Sequence, residues 1–310
     1  MLSNIDPSGQ QFLNSLNRLQ ARLDTAQRQL ASGNRLNVPS DAPDQISPVL
    51  QLHADIRMNQ AIASNLKQVK TDVDTAEQTI SSSVDLLQQA SVLATQATGP
   101  LQTAATRATL AANVEGLLEQ MISNSNTTVG GRYIFSGDSD QSQAYQLDLT
   151  SVTGAAALQN PPAAATRKVA GPGGSSFLIG RTAGDIFDVR DPVTGAPASG
   201  NVFAALNGLR VALAANDDAG IRTSITDLAS ASKYLNDQLA FYGQTQDRIA
   251  SALNATNNTD VQLQAELSGR QEADMASVIT DLQQAETQMQ AALQVRAQIP
   301  RSSLFDVLSK

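Results

Sequence analysis

The chain has 310 residues, a formal net charge of −8, no cysteine and no tryptophan. Disulfide and thiolate chemistry are excluded, and no Lys/Arg cluster is present to displace counterions from nucleic acid or to grip an anionic membrane surface. Hydrophobic residues make up 41% but are mostly Ala, Leu and Val, with only 4% aromatics, which suits long slender helices with narrow seams better than a thick core.

The opening stretch MLSNIDPSGQQFLNSL carries neither a basic n-region nor a continuous apolar h-region. No cleaved Sec-type signal is therefore expected, and no apolar run approaches the ~20 residues of a membrane span. From about Gly9 to Ala31, the residues Phe12, Leu16, Leu19, Leu23, Ala26 and Leu30 recur at alternating spacings of 4 and 3. That is a heptad seam on one helix edge. LASGNRLNVPSDAPD (Leu30 to Asp44) stops this helix with one glycine, two prolines and an Asn/Ser/Asp cluster, and Gly33 or Asn34 is placed to cap it in the left-handed region. Ser47 is read as the next cap and Pro48 as the first helical residue. The second seam runs through Leu66, Val69, Val73, Ala76, Ile80, Val84 and Leu87 to an end near Thr98-Gly99-Pro100. A third helix carries Ala111, Val114, Leu118 and Met121 and is expected to stop at Gly130-Gly131.

Between Gly131 and Gly200 the composition shifts to glycine, proline and short β-like runs. RYIFSG, AYQLDLTSV, RKVA, SFLIG and DIFDVR read as strands separated by turns. Helices resume at Val202, first with Phe203, Leu206, Leu209 and Leu213. A long seam of Ile221, Ile225, Leu228, Leu235, Leu239, Tyr242, Ile249 and Leu253 follows, and a last one of Met275, Val278, Leu282, Ala285, Met289 and Ala292, with Pro300 marking the end. Seams this long on isolated helices are poorly stable in water, so they pair with each other or with other subunits.

No motif in the chain supports catalysis. His53 is the only histidine, so neither a histidine metal site nor a triad can form around it, and it reads as a polar helix position. GPGGSS (Gly171 to Ser176) lacks the Lys-Ser/Thr pair of a phosphate loop and reads as a turn. DSDQS (Asp138 to Ser142) begins like a calcium loop, but Gln143 and Leu149 occupy the positions that need Gly and Glu. No cofactor and no metal are expected.

QLASGNRLNVPSDAPD (Gln29 to Asp44) followed by a long helix resembles the N-terminal block of the bacterial flagellin superfamily. Its Pro39-Ser40-Asp41 is more similar to the hook-associated members than to flagellin proper, with Ala42 where a second Asp is usual. GRYIFSG (Gly131 to Gly137) and TAGDIFDV with NVFAALNGLRVAL resemble segments of the hook–filament junction members, and the C-terminal RQEADMASVITDLQQAETQMQAALQVRAQIPRSSLFDVL resembles the superfamily's C-terminal helix. About Ser139 to Ser176 carries no resemblance.

The resemblance implies a mainly α fold: a long antiparallel helical coiled-coil bundle with a small β-rich insertion as a distal β domain. Residues 1–44 and 256–310 would be terminal coiled-coil helices of an inner tube, 45–130 and 201–255 a helical bundle, and 131–200 the outer insertion. It implies a structural, non-enzymatic protein, exported by the flagellar type III system to the extracellular hook–filament junction. Its terminal helices would order on assembly. Implied partners are copies of itself in a ring or helical layer, a second hook-associated junction protein on the hook side, flagellin on the filament side, and an export chaperone at the C-terminal helix, with no nucleic acid and no membrane. The expected assembly interface is Phe12, Leu16, Leu19, Leu23 and Leu30 against Met275, Val278, Leu282, Met289 and Leu293. The expected connector turn is Gly33, Arg35, Asn37, Pro39, Asp41 and Pro43. A filament subunit shares the terminal blocks and is the alternative. The zinc protease carried by some flagellins needs a His-Glu-x-x-His that this chain lacks.

Overall fold

The computed structural model describes residues 7–99, 102–159, 163–171, 174 and 176–298. Among them run the helices α1 (Pro7–Ser32), α2 (Pro43–Ala97), α3 (Ala104–Ser125), α4 (Ala183–Ile186), α5 (Val202–Ala214), α6 (Asp218–Gln271) and α7 (Met275–Gln298). The strands are β1 (Thr128–Val129), β2 (Arg132–Tyr133), β3 (Tyr145–Leu147), β4 (Ala155–Ala157), β5 (Lys168–Ala170) and β6 (Ser176–Leu178). They form three separate antiparallel hairpins, β1-β2, β3-β4 and β5-β6. The proposed stop at Pro300 lies outside the described residues. The chain forms two compact units, Met1–Met58 with Thr259–Lys310, and Asn59–Asn258. The divisions read from sequence at 44/45 and 255/256 fall inside α2 and α6.

The Asn59–Asn258 unit is built on the α2 seam. Leu66, Val69, Val73, Ala76, Ile80, Val84 and Leu87 are all buried, as the spacing predicts. Opposite them on α6, Ile221, Leu228, Leu235, Tyr242 and Ile249 are buried, while Ile225, Leu239 and Leu253 pack at the edge of the same core. Asn59 Nδ2 donates to the Thr256 carbonyl at 2.9 Å and Gln246 Nε2 to Asp74 Oδ1 at 3.0 Å, so α2 and α6 run antiparallel. α3 packs along α5. Residues in and just beyond the hairpins share this core: Phe135, Tyr145, Ala155, Val169 and Ile179 join the helical residues in one cluster.

Aromatic side chains are scarce, and six of them meet in one place. Phe135 lies edge-on to Phe187 at 5.8 Å and to Tyr242 at 6.5 Å, Phe187 stacks on Phe203 at 5.9 Å, and Tyr145 and Phe241 complete the chain of contacts. Each such pair adds roughly 0.5–1.5 kcal/mol beyond area burial. They join the hairpin segment to α4, α5 and α6.

Two polar joints close the unit. Arg107, buried on α3, donates to the Ala97 carbonyl at the C-terminus of α2, to Asn216 Oδ1 and to Asp218 Oδ1 at the start of α6. A cation at that helix end is favoured by the macrodipole as well as by the hydrogen bonds. Asp188 accepts from the Tyr145 hydroxyl, from Arg190 Nε and from Asn201 Nδ2. Burial, and after it the Asp188 charge, raises the Tyr145 phenol above its ordinary pKa.

The structure corrects four readings. α2 begins at Pro43, not at Ser47-Pro48, and Pro48 lies inside the helix; the Ser47 side chain makes the later proline the stronger local start signal, but the earlier one meets the turn. α3 stops at Ser125, before the expected glycines. The Asn126 side chain accepts from the Ala144 amide and donates to the Tyr145 carbonyl, which diverts the chain. Gly130 and Gly131, both at positive φ, instead form the two-residue turn of the β1-β2 hairpin. DIFDVR is not a strand: Thr182 and Asp185 form a capping box and α4 starts there. β4 is three alanines, which have no strand preference, paired with Tyr145–Leu147.

Gly154 has φ +71°, and a Cβ there would sit 2.7 Å from Leu118 Cδ2. Gly154→Ala combines left-handed strain with overpacking and should lower unfolding stability by about 2 kcal/mol or more, read from urea denaturation midpoints.

Candidate assembly interface

α1 and α7 pack together within the chain. They run antiparallel: the Arg296 guanidinium lies over the Phe12 ring at 5.5 Å, while at the other end Asn34 bridges Glu272. The pair is thin. Among the described residues, Ala26 on α1 and Val278 and Ala285 on α7 are the buried ones. Phe12, Leu16, Leu19 and Leu23 are half-buried, as are Leu282 and Met289. Leu30, Met275 and Leu293 are exposed, at 36%, 39% and 52%. The structure therefore brings together the two seams read from sequence but covers them incompletely.

Further apolar side chains stand in solvent on these elements: Leu13 at 54%, Ile279 at 43% and Val295 at 61%. Sequence reasoning passed over them because each sits beside the dominant seam and not on it. On so slender a helix pair they add exposed apolar surface on either flank of the stripe.

The connector is built from hydrogen bonds between chain segments far apart in sequence. Gly33, at φ +71°, donates to the Gln29 carbonyl and caps α1. Its own carbonyl accepts from the Ala273 amide at 2.9 Å, and the Arg35 amide donates to the Gln271 carbonyl at 2.7 Å. Arg35 also donates from Nη2 to the Arg270 carbonyl at 2.9 Å. Asn37 Nδ2 donates to the Asn34 carbonyl. Val38 to Asp41 form a turn closed by the Asp41 amide on the Val38 carbonyl, with Pro39 in its second position. Pro43 opens α2, and Ala42 before it offers no side-chain acceptor to the first turn.

Asp41 is the keystone of the turn. Its Oδ2 accepts from the Asn37 and Val38 amides, both at 2.9 Å. The Val38 and then the Asn37 hydrogen bond hold its carboxyl below the usual carboxylate range, with Arg28 adding a smaller attraction. Sequence reasoning overlooked the other half of the joint. Asp274 caps α7 by accepting from the Ala276 amide at 3.0 Å, and an Asp just before an apolar-periodic run is a readable start signal. Among the described residues no three His, Cys, Asp or Glu side chains gather to hold a metal, and no helix is long and apolar enough to cross a membrane.

The family model described as the bacterial flagellin N-terminal helical region matches residues 7–140, and that described as the bacterial flagellin C-terminal helical region matches residues 225–308. The chain belongs to the bacterial flagellin superfamily. The flagellar hook-associated protein 3 of Escherichia coli (strain K12) is 25% identical over 261 residues, which is 81% of this chain and 80% of that protein. The structure of flagellar hook-associated protein-3 from Legionella pneumophila superposes with a TM-score of 0.60 at 14% identity, covering 71% of this chain and 98% of that one. Bacillus cereus FlgL superposes with a TM-score of 0.54 at 17% identity, covering 72% and 100%. These likenesses establish the fold. In flagellin-superfamily terms the N-terminal match contains α1, the connector and α2, and the C-terminal match contains α7.

The connector should be acid-sensitive. The Asp41 carboxyl titrates lower in the folded chain than in the unfolded one, so its stabilisation is complete above about pH 4 and is lost as pH falls through the folded value. Asp41→Asn should melt lower than the parent at pH 7, and the gap should close towards pH 2 in thermal scans.

Proposed function

We propose that this chain is a structural subunit of the bacterial flagellum that forms the junction between hook and filament, in the role of a hook-associated protein 3. The observation that carries this reading is the combination of both flagellin end-regions with a likeness to hook-associated protein 3 that spans 81% of the chain in the Escherichia coli relative and 71% in the Legionella pneumophila structure. The α1–α7 pair supports it physically. A helix pair with so few buried side chains, and with Leu13, Leu30, Ile279 and Leu293 left in solvent, is suited to burial by neighbouring copies. Head-to-tail contacts of that kind let each layer present a surface to the next.

On this reading the chain acts by holding hook and filament together and performs no catalysis. Its partners are copies of itself, a second junction protein on the hook side and flagellin on the filament side. Export proceeds through the flagellar type III apparatus, with a chaperone shielding the apolar face of α7 before assembly. The interface comprises Phe12, Leu16, Leu19, Leu23 and Leu30 with Met275, Val278, Leu282, Met289 and Leu293. The filament-subunit alternative predicts thousands of copies per flagellum where a junction protein needs few.

A strain lacking this chain should secrete flagellin into the medium yet grow no filament. Hooks bearing full filaments in that strain would overturn the junction role, and absent flagellin would point to the filament subunit. Leu19→Asp and Leu282→Asp should leave the Asn59–Asn258 helices folded by circular dichroism but abolish incorporation at the hook tip, read by immunogold labelling. Normal incorporation of both would remove the seam from the interface.

A further inference from the structure

The β5-β6 hairpin has two strands and no third. Its Val169 is buried in the core, while Lys168 and Ala170 on either side are exposed. The Ile179 amide donates to the Arg167 carbonyl at 3.4 Å, and the register pairs Lys168 with Leu178 and Val169 with Phe177. Ladder bonds of an antiparallel pair fall on alternate residue pairs, so Val169 turns its backbone towards β6 while Lys168 and Ala170 turn theirs away. Among the described residues no backbone or side-chain group pairs with those outward amides and carbonyls. The outer edge of β5 is open, and its three residues offer about 10 Å of pairing surface.

A groove of about 490 Å³ lies beside this strand. Ile62, Asn65 and Gln68 of α2 line it together with Arg132 of β2, Arg167 and Lys168. Asn65 and Gln68 are exposed and make no hydrogen bond among the described residues, so their amides are available to the far edge of a chain laid in the groove.

Charge sets what that chain must carry. The protein has a net charge of −8, yet three cations line this one groove. Asp72 Oδ2 accepts from Arg132 Nη2 at 3.2 Å and lies 3.8 Å from Arg167 Nη2, and Asp140 lies 3.7 Å from Arg132 Nη1. Lys168 has no carboxylate within 4.0 Å among the described residues. Two carboxylates therefore serve three cations. An edge lysine ordinarily discourages a further strand. Beside Arg132 and Arg167 it discriminates instead, repelling a basic strand and drawing in one that carries Asp or Glu.

We propose that the groove is a docking site for an extended acidic segment of a partner protein, which adds to the hairpin as a third strand on β5. Main-chain bonds to Lys168 and Ala170 supply pairing, and the cations supply selectivity.

The probe is the acetylated, amidated peptide TEVDVET, titrated into the full chain by calorimetry and by hydrogen exchange resolved at the Lys168 and Ala170 amides. Binding should slow exchange at both amides about tenfold or more. TKVKVKT should not bind. TEVDVET N-methylated at its three acidic residues keeps its charge but cannot donate to β5, and should not bind either. Lys168→Glu, at an exposed position, should melt like the parent and hold TEVDVET about tenfold more weakly. Equal binding of the N-methylated peptide would mean attraction without strand pairing and would overturn the proposal, as would no binding of TEVDVET. Slowed exchange at the same two amides on concentrating the chain alone would place a second copy on the edge and overturn the partner assignment.

Discussion

The buried stripe of α2 from Leu66 to Leu87 is the surface on which the Asn59–Asn258 unit depends. α6 meets α2 through Asn59 and Asp74, α3 through Ser83, and two hairpins through Asp72. With few aromatic residues to build a wide core, the chain uses a long one. Small side chains such as Ala76, Ala90 and Ala94 keep the stripe narrow and let helix backbones approach. The six clustered aromatics supply bulk at the single place where irregular chain must be fastened to helices.

The two compact units follow different rules. In the Asn59–Asn258 unit the apolar seams are nearly all covered, and polar groups such as Arg107 and Asp188 are matched by several partners. In the terminal unit the same heptad spacing yields a pair of helices with only a few fully buried residues. The difference is the number of elements available to cover each seam. A stripe flanked by several helices and hairpins is satisfied within the chain, whereas a stripe facing one helix is not.

That distinction limits what was legible in the sequence. Period alone located the seams of α2, α5 and α6, because apolar recurrence is a property of the helix itself. It could not say that Leu30, Met275 and Leu293 stay exposed, since exposure depends on what lies opposite. The start of α2 differs from the sequence reading because Ser47-Pro48 pairs a capping side chain with a proline, a stronger local signal than Ala42-Pro43, where the helix in fact begins. DIFDVR was misread because its β-branched and aromatic residues outweighed the Thr182–Asp185 cap in a strand reading. β4 left no trace, because Ala155 to Ala157 pair only by virtue of β3. The connector fared best: its Gly, Asn, Pro and Asp residues each have a local backbone role that sequence position reveals.

The hydrogen bond from Arg35 to the Arg270 carbonyl joins residues 235 positions apart. Contacts of such separation form late, because nearly the whole chain must be threaded into a closed loop before they contribute. Pairing of α1 with α7 is therefore favoured once the segment between them is compact, and the connector works as a latch on that state. Its clasp at Gly33, Arg35 and Ala273 marks the moment at which the first and last helices of the chain are held in common register.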